Sequence, residues 1–271
     1  MQFTSEDRLD DTVLERTFTL GRADASDAFA TSEVPGIPGG IPGIPGILWT
    51  PASDEAPATP ATPAPLILLG HPPLGLRAMY PRLVARARSA VADGFAAATI
   101  ELPGGGDRPP LPGAEQARAE LRRAMRAGER VDDETVDALV LPLVDAAVPE
   151  WRAALDALLA LPGIGGPVGY SGGVISVGVH LAAVEPRVRA AVLFAGSLVP
   201  RTILEEARSV TVPLHVLLQW DDEGNDRQAS LDLFDAFGSR EKTLHANMGG
   251  HTGVPEYAGD AAARFFARYL K

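Results

Sequence analysis

The chain of 271 residues contains no cysteine. That excludes disulfides, thiolate metal sites and a cysteine nucleophile. Cations are scarce: 24 Lys and Arg stand against 35 Asp and Glu, a formal net charge of -11. A phosphate backbone is gripped by clustered Lys and Arg, so no nucleic-acid partner is expected, and the excess acid reads as solubility. No apolar run approaches the ~18–20 residues of a membrane span. The opening residues, MQFTSEDRLDD, lack the apolar core of a signal peptide. A cytoplasmic protein acting on a small molecule, with no membrane partner, is the expectation; nothing in the sequence indicates an oligomeric state. Cofactor motifs are missing as well. GGG at 104–106 is not followed by Gly-Lys-Ser/Thr, and GIGGPVG at 163–169 precedes a strand rather than a helix. DDEGND at 221–226 lacks calcium-loop spacing. No cofactor and no metal are expected.

Glycine and proline are plentiful, at 28 and 24 residues. Many lie in 34–65, where a Pro-Gly-Ile unit recurs and then gives way to PASDEAPATPATPAP. This segment reads as a loop and connector, interrupted by a short strand at Gly46–Thr50. Elsewhere the patterning is regular. Strands are expected at 12–20, 65–71, 167–170, 188–194, 214–219 and 242–245, and 96–106 reads as a strand running into a glycine-rich turn. Helical spacing marks 81–93, 115–127, 132–148, 149–161, 228–237 and 255–270, plus a helix from the glycines after Ser171 to Val184. Strands alternating with helices of ten or more residues need crossover connections, hence an α/β fold with a largely parallel sheet. Such sheets place chemistry in loops after the carboxyl ends of strands. The ends to inspect are His71, Gly104, Ser171, Asp221–Asp222 and His251.

GYSGG, residues 169–173, fits Gly-x-Ser-x-Gly. A serine on a tight strand-to-helix turn takes strained backbone angles, and small neighbours let two segments pass closely. The pattern alone is weak in a glycine-rich chain; the strand before it and the helix after it strengthen it. Ser176 also has Gly at +2, but that frame would put Gly172 and Gly173 inside a strand. Ser176 therefore reads as a helix residue with its hydroxyl on a preceding carbonyl. A serine needs a base, and the base an orienting carboxylate. The expected chain order of serine, acid and histidine is present: HVLLQWDDE ends a strand in Asp221, Asp222 and Glu223, and ANMGGHTGVP puts His251 in a glycine-rich loop.

From about residue 65 onward the chain resembles the α/β-hydrolases, and among them the dienelactone-hydrolase-like and esterase-like bacterial members. GYSGG looks like the nucleophile elbow, QWDDE like the acid turn, GGH like the histidine loop and ELPGGGDRP like the turn after the fourth strand. The resemblance implies one α/β-hydrolase domain over 1–271, with about eight strands flanked by helices and a small helical cap at 107–148. It implies a serine hydrolase acting on an ester, lactone or thioester. Ser171 would be the nucleophile, His251 the base and Asp222 the acid, with Asp221 as runner-up. Gly172 and Leu74 would hold the oxyanion, and His71, Trp151 and Trp220 would be substrate contacts. One departure stands out. The oxyanion loop reads GHPPLG, and Pro72 and Pro73 have no N–H to donate. A hydrolase-fold binding protein with little turnover, or one catalysing a non-hydrolytic reaction, is the alternative reading.

Overall fold

The computed structural model describes residues 1–21, 43–52 and 62–271. Most of the expected Pro/Gly/Ala-rich loop and connector, residues 34–42 and 53–61, lies outside the described residues. The described strands are β1 (Gln2–Arg8), β2 (Val13–Leu20), β3 (Ile44–Pro51), β4 (Ala64–Gly70), β5 (Ala96–Ile100), β6 (Ile164–Gly172), β7 (Val188–Phe194), β8 (Leu214–Gln219) and β9 (Lys242–Asn247). The helices are α1 (Leu76–Ala92), α2 (Ala114–Ala127), α3 (Asp133–Leu159), α4 (Ile175–Val184), α5 (Arg201–Glu206), α6 (Arg227–Ala236) and α7 (Glu256–Leu270). All nine strands form one sheet in the order β1-β2-β3-β5-β4-β6-β7-β8-β9. From β5 to β9 every pairing is parallel, while β1, β2 and β3 are antiparallel additions at one edge.

Each face of the sheet carries its own core. On one side α1 and α7 press Met79, Leu83, Phe266 and Leu270 against Ile67, Leu69 and Val192. On the other, α3 to α6 pack Trp151, Leu155, Val177, Ile203 and Leu233 against Leu68, Tyr170 and Leu193. The alternation of Leu68 and Leu69 between the two cores is the two-residue period of a strand buried on both faces. Buried Glu15 of β2 ties the edge to α1, accepting from Trp49 Nε1 at 2.6 Å and Tyr80 Oη at 2.9 Å. Burial and then the Glu15 carboxylate push the Tyr80 phenol up to about 12. Among the described residues no helix is long and apolar enough to cross a membrane.

Three elements depart from expectation. Strand β1 is added to the sheet although QFTSEDR shows no apolar alternation, because it is a fully exposed edge. Hydroxyl bonds from Thr4 and Ser5 to Thr17 tie it to β2. Helix α3 is continuous over the two expected helices 132–148 and 149–161, with Pro142 and Pro149 inside it. Its buried face, from Val136 through Trp151 to Leu158, belongs to the main core throughout, and that packing outweighs the backbone bonds the two prolines forfeit. Helix α1 begins at Leu76, so Pro81 falls in its second turn rather than its first.

The turn from α4 to β7 is held by charge. Buried Glu185 accepts from Arg187 Nε and Nη2, both at 2.7 Å, and from Arg152 Nε at 3.3 Å. The Arg187 hydrogen bonds lead in holding the Glu185 carboxyl down to about 2, against the opposing effect of burial. A depressed carboxyl contributes stability above the ordinary glutamate range, and that contribution fades as pH falls towards 2. Glu185→Gln is therefore expected to lower stability at pH 7 and to flatten its decline between pH 5 and 3. Urea unfolding across that range measures it.

Candidate active site

The carboxyl ends of β4, β6, β7, β8 and β9 converge on one edge of the parallel sheet. At the end of β8, the acid turn is braced from within. Asp222 Oδ1 accepts the Gly224 N–H at 3.0 Å, and Oδ2 accepts Asn225 Nδ2 at 2.5 Å. Asp222 Oδ2 also lies 2.7 Å from His251 Nδ1, which joins the acid turn to the loop after β9. Burial alone pushes the Asp222 carboxyl up, but the hydrogen bonds from His251, Asn225 and Gly224 outweigh it and hold the group below the ordinary aspartate range. Asp221 is exposed and among the described residues makes no such bond; its backbone N–H donates to Gly249 O. His251 is 67% exposed at its side chain and packs edge-on to Phe194 at 5.6 Å.

Three residues that sequence reasoning missed position this pair. Asn225 links the acid turn to the loop after β7 by accepting Ser197 N–H and Oγ–H, each at 3.1 Å. Buried Gln219 donates to Gly250 O at 3.0 Å, next to His251 in the chain, and accepts from buried Asn247 at 3.1 Å. The run QWDDEGND held a signal, since Asn four residues after Asp221 suits a turn, but its partners lie in other segments.

At the end of β6, Ser171 is still within the strand. It pairs with Leu69 of β4 and Val192 of β7. Both partners belong to the core on the α1–α7 face, so the serine side chain is directed to that face. Among the described residues its hydroxyl has no hydrogen-bond partner, and no bond links it to His251. The imidazole stands at the end of the next strand, against Phe194, two residues beyond Val192.

The chain reversal comes one residue later than expected. Gly172 and Gly173 have φ of 74° and 78°, whereas no described non-glycine residue has positive φ. The expected strain on Ser171 is therefore absent. Two successive glycines take the left-handed angles freely, where a serine would lose about 1–2 kcal/mol. Gly173 also needs to be small, since a methyl group there would lie 2.9 Å from Gly70 Cα and His71 N.

The other sequence candidates fall into two groups. Leu74 and Trp220 lie at the surface near the site. Leu74 is 66% exposed, and its N–H, expected to face the oxyanion, turns back onto Pro72 O at 2.7 Å. Trp220 carries the Arg227 guanidinium over its ring at 4.3 Å and lines a cleft of about 560 Å³ with Asp222, Asn225 and Arg227. His71 and Trp151 are enclosed and reach no open surface. His71 is 1% exposed, with Nδ1 2.8 Å from Pro72 O and Nε2 2.9 Å from Ile100 O, so it fastens the loop to β5. Trp151 is fully buried, edge-on to Tyr170 at 6.2 Å. Its position on the inner stripe of α3 sends it into the core rather than towards a ligand.

Ser176 lies in α4 as expected, but among the described residues its buried hydroxyl has no hydrogen-bond partner, against the expected bond to a preceding carbonyl. Ser176→Ala is thus expected to leave activity unchanged and to raise stability by about 1 kcal/mol, because an unpaired buried hydroxyl carries a desolvation penalty. Thermal unfolding and an ester assay check both. The remaining histidines are engaged elsewhere: His180 with Glu206 at 2.8 Å, His215 with Thr243 Oγ1 at 2.8 Å, and His245 stacked on Tyr257. Among the described residues no group of three or more His, Asp or Glu side chains is arranged to hold a metal ion.

A nine-stranded, mostly parallel sheet, with helices on both faces and an acid–histidine pair in the loops after β8 and β9, defines an α/β-hydrolase. The chain has that fold. It is similar over 100% of its length and 100% of the other chain to a cold-adapted esterase from an Arctic intertidal metagenomic library, at 27% identity and a TM-score of 0.70. It shares the fold of an acetyl xylan esterase from Paenibacillus sp. R4, at 14% identity and a TM-score of 0.64, over 99% of this chain and 88% of that one. It shares it too with acetyl xylan esterase 1 from Thermoanaerobacterium sp. JW/SL YS485, at 13% identity and a TM-score of 0.62, over 98% and 87%. A scan against protein-family models and a search of curated proteins give no match.

Proposed function

We propose that this chain is a serine hydrolase that cleaves small-molecule carboxylic esters, lactones or thioesters through an acyl-enzyme. The observation that carries this reading is the His251–Asp222 pair in a fold shared end to end with an esterase. Ser171 Oγ attacks the carbonyl carbon while His251 Nε2 takes its proton and then passes it to the leaving alcohol or thiol. Water attacks the acyl-enzyme by the same route in reverse and frees the acid. Asp222 holds the imidazole in the tautomer that leaves Nε2 free to accept. Gly172 N–H faces the oxyanion. Helix α2 belongs to the wall over the site, since Met125 Cε approaches Gly224 of the acid turn.

A second reading, a hydrolase-fold protein that binds small molecules with little turnover, is favoured by one observation: the left-handed residue of the elbow is Gly172, not Ser171. Purified protein assayed against p-nitrophenyl acetate and butyrate, a γ-lactone and an acyl thioester decides between them. Saturable turnover of any one supports the hydrolase. No turnover of any, by a folded sample that a fluorophosphonate also fails to label, sinks it and leaves the binding reading.

A further inference from the structure

The peptide between Ser171 and Gly172 joins the Cα that bears the nucleophile to the Gly172 N–H. Its plane is set by rotation at Ser171 ψ and Gly172 φ, and a glycine takes either sign of φ at little cost. The pairing of the sheet also ends here. Among the described residues β6 pairs with β7 no further than Ser171, and with β4 no further than Gly172. A hold from outside the strand therefore bears directly on which way this peptide faces. The direction matters more than usual, because the neighbouring loop has little to add. Pro72 and Pro73 have no N–H, and the Leu74 N–H is committed to Pro72 O.

Arg86 supplies such a hold. It lies on α1 between Leu83 and Ala87, both buried against the sheet. Its guanidinium donates to Gly70 O at 2.8 Å and to Ser171 O, so one cation joins the last carbonyl of β4 to the carbonyl of the serine. Ser171 O is thereby held on the β4 side of β6. No described peptide bond is cis, and across a trans peptide the C=O and N–H point opposite ways. The Gly172 N–H is therefore directed away from Arg86, to the β7 side. His251 stands on that side, packed on Phe194 at the end of β7. A methyl group placed on Gly172 would lie 2.9 Å from Arg86 Nη2, so the clamp also needs a small residue after the serine. Among the described residues no carboxylate forms an ion pair with Arg86, unlike Arg108, Arg123, Arg152 and Arg187. Burial draws its pKa down to about 10, which leaves it a cation at neutral pH and its two bonds charge-assisted.

We propose that Arg86 is a positioning residue: by clamping Ser171 O from the β4 side, it fixes the Ser171–Gly172 peptide and with it the place of the nucleophile and the direction of the Gly172 N–H. It touches neither the substrate nor the oxyanion. This rests on the serine-hydrolase reading. The test compares wild type, Arg86→Met and Arg86→Lys on the p-nitrophenyl ester that wild type turns over best, with Ser171→Ala as the reference for lost nucleophile. Arg86→Met fills much of the same space but donates to neither carbonyl. It is expected to lose about 10²-fold in kcat with KM within about threefold of wild type, the pattern of a displaced reacting group rather than of lost binding. Arg86→Lys keeps a charged donor for the carbonyls and is expected to retain a kcat about tenfold or more above that of Arg86→Met. Melting temperatures set the assay where every variant is folded. If Arg86→Met does not fold, Arg86→Gln, whose short amide reaches one carbonyl at most, takes its place with the same expectation. A folded Met or Gln variant that keeps kcat within about threefold, or that changes only KM, overturns this inference and leaves the serine reading intact. So does Arg86→Lys that is no faster than that variant, because the loss would then follow packing and not the two bonds. If wild type has no turnover, or Ser171→Ala keeps it, both fall together.

Discussion

Ser171→Ala is expected to abolish fluorophosphonate labelling and to lower ester hydrolysis by about 10⁴-fold or more, the scale seen when a triad nucleophile is removed. The reason is covalent: the serines nearest the site among the described residues are not placed to take its role. Ser176 is enclosed in α4, and Ser197 gives its hydroxyl to Asn225. The fold should tolerate the change, because the Ser171 hydroxyl has no hydrogen-bond partner among the described residues and the alanine keeps the strand's Cβ. The experiment also reads the elbow. Labelling that survives in Ser171→Ala would remove Ser171 from the mechanism. Wild type that does not label, with Gly172→Ser that does, would assign the nucleophile position to the left-handed residue and favour the binding reading. Gly172→Ser has to take the left-handed angle at a cost of about 1–2 kcal/mol and to displace the end of the Arg86 side chain.

The second large effect is expected of Asp222→Asn: a fall in kcat of about 10⁴-fold with little change in KM. His251 is largely exposed, and its ring is held by the bond to Asp222 and the edge contact with Phe194. An asparagine that turns its amide towards Nδ1 would demand an acceptor there, which puts the proton on Nε2 and removes the base. Asp221→Asn, one residue away, should leave the rate near wild type, since that exposed side chain makes no hydrogen bond to the histidine or the turn among the described residues. Equal losses in both variants would undo the assignment of the acid. The sign of the pH dependence follows from the depressed Asp222 carboxyl. Its hold on His251 is complete above the ordinary aspartate range and is lost only as pH falls below it. Protonation of Asp222 is thus not what limits activity between pH 5 and 8. A steady-state profile of kcat from pH 4 to 9 checks this, and an acid limb that Asn225→Ala shifts upward would be its signature, since Asn225 helps to hold that carboxyl down.

Much of this was legible from residue order. The strands at 188–194 and 214–219 match their expected bounds, because continuous apolar runs between turn signals leave little freedom in a parallel sheet. The serine, acid and histidine segments stand out in the sequence because each follows a strand in short, polar or glycine-rich sequence. Other features were hidden for physical reasons. The edge strand β1 buries nothing, so it left no apolar period to read. The prolines of α3 look like breaks until the core beneath them is known. Trp151 looks like a wall of the site until its helix is laid on the sheet, where it faces inward.

From the amino-acid order alone come the α/β class, the alternation of elements and the three segments proposed to carry chemistry. These depend on local periods and turn residues, which a linear chain displays. Tertiary contact alone chose Asp222 over Asp221 as the partner of His251, 29 residues away. It moved the left-handed turn from Ser171 to Gly172, turned the Leu74 N–H inward, and set Arg86, 85 residues before the serine, against its carbonyl. Those outcomes depend on which distant segments meet. In a sheet whose order is not the chain's order, neighbours along the sequence do not reveal neighbours in space.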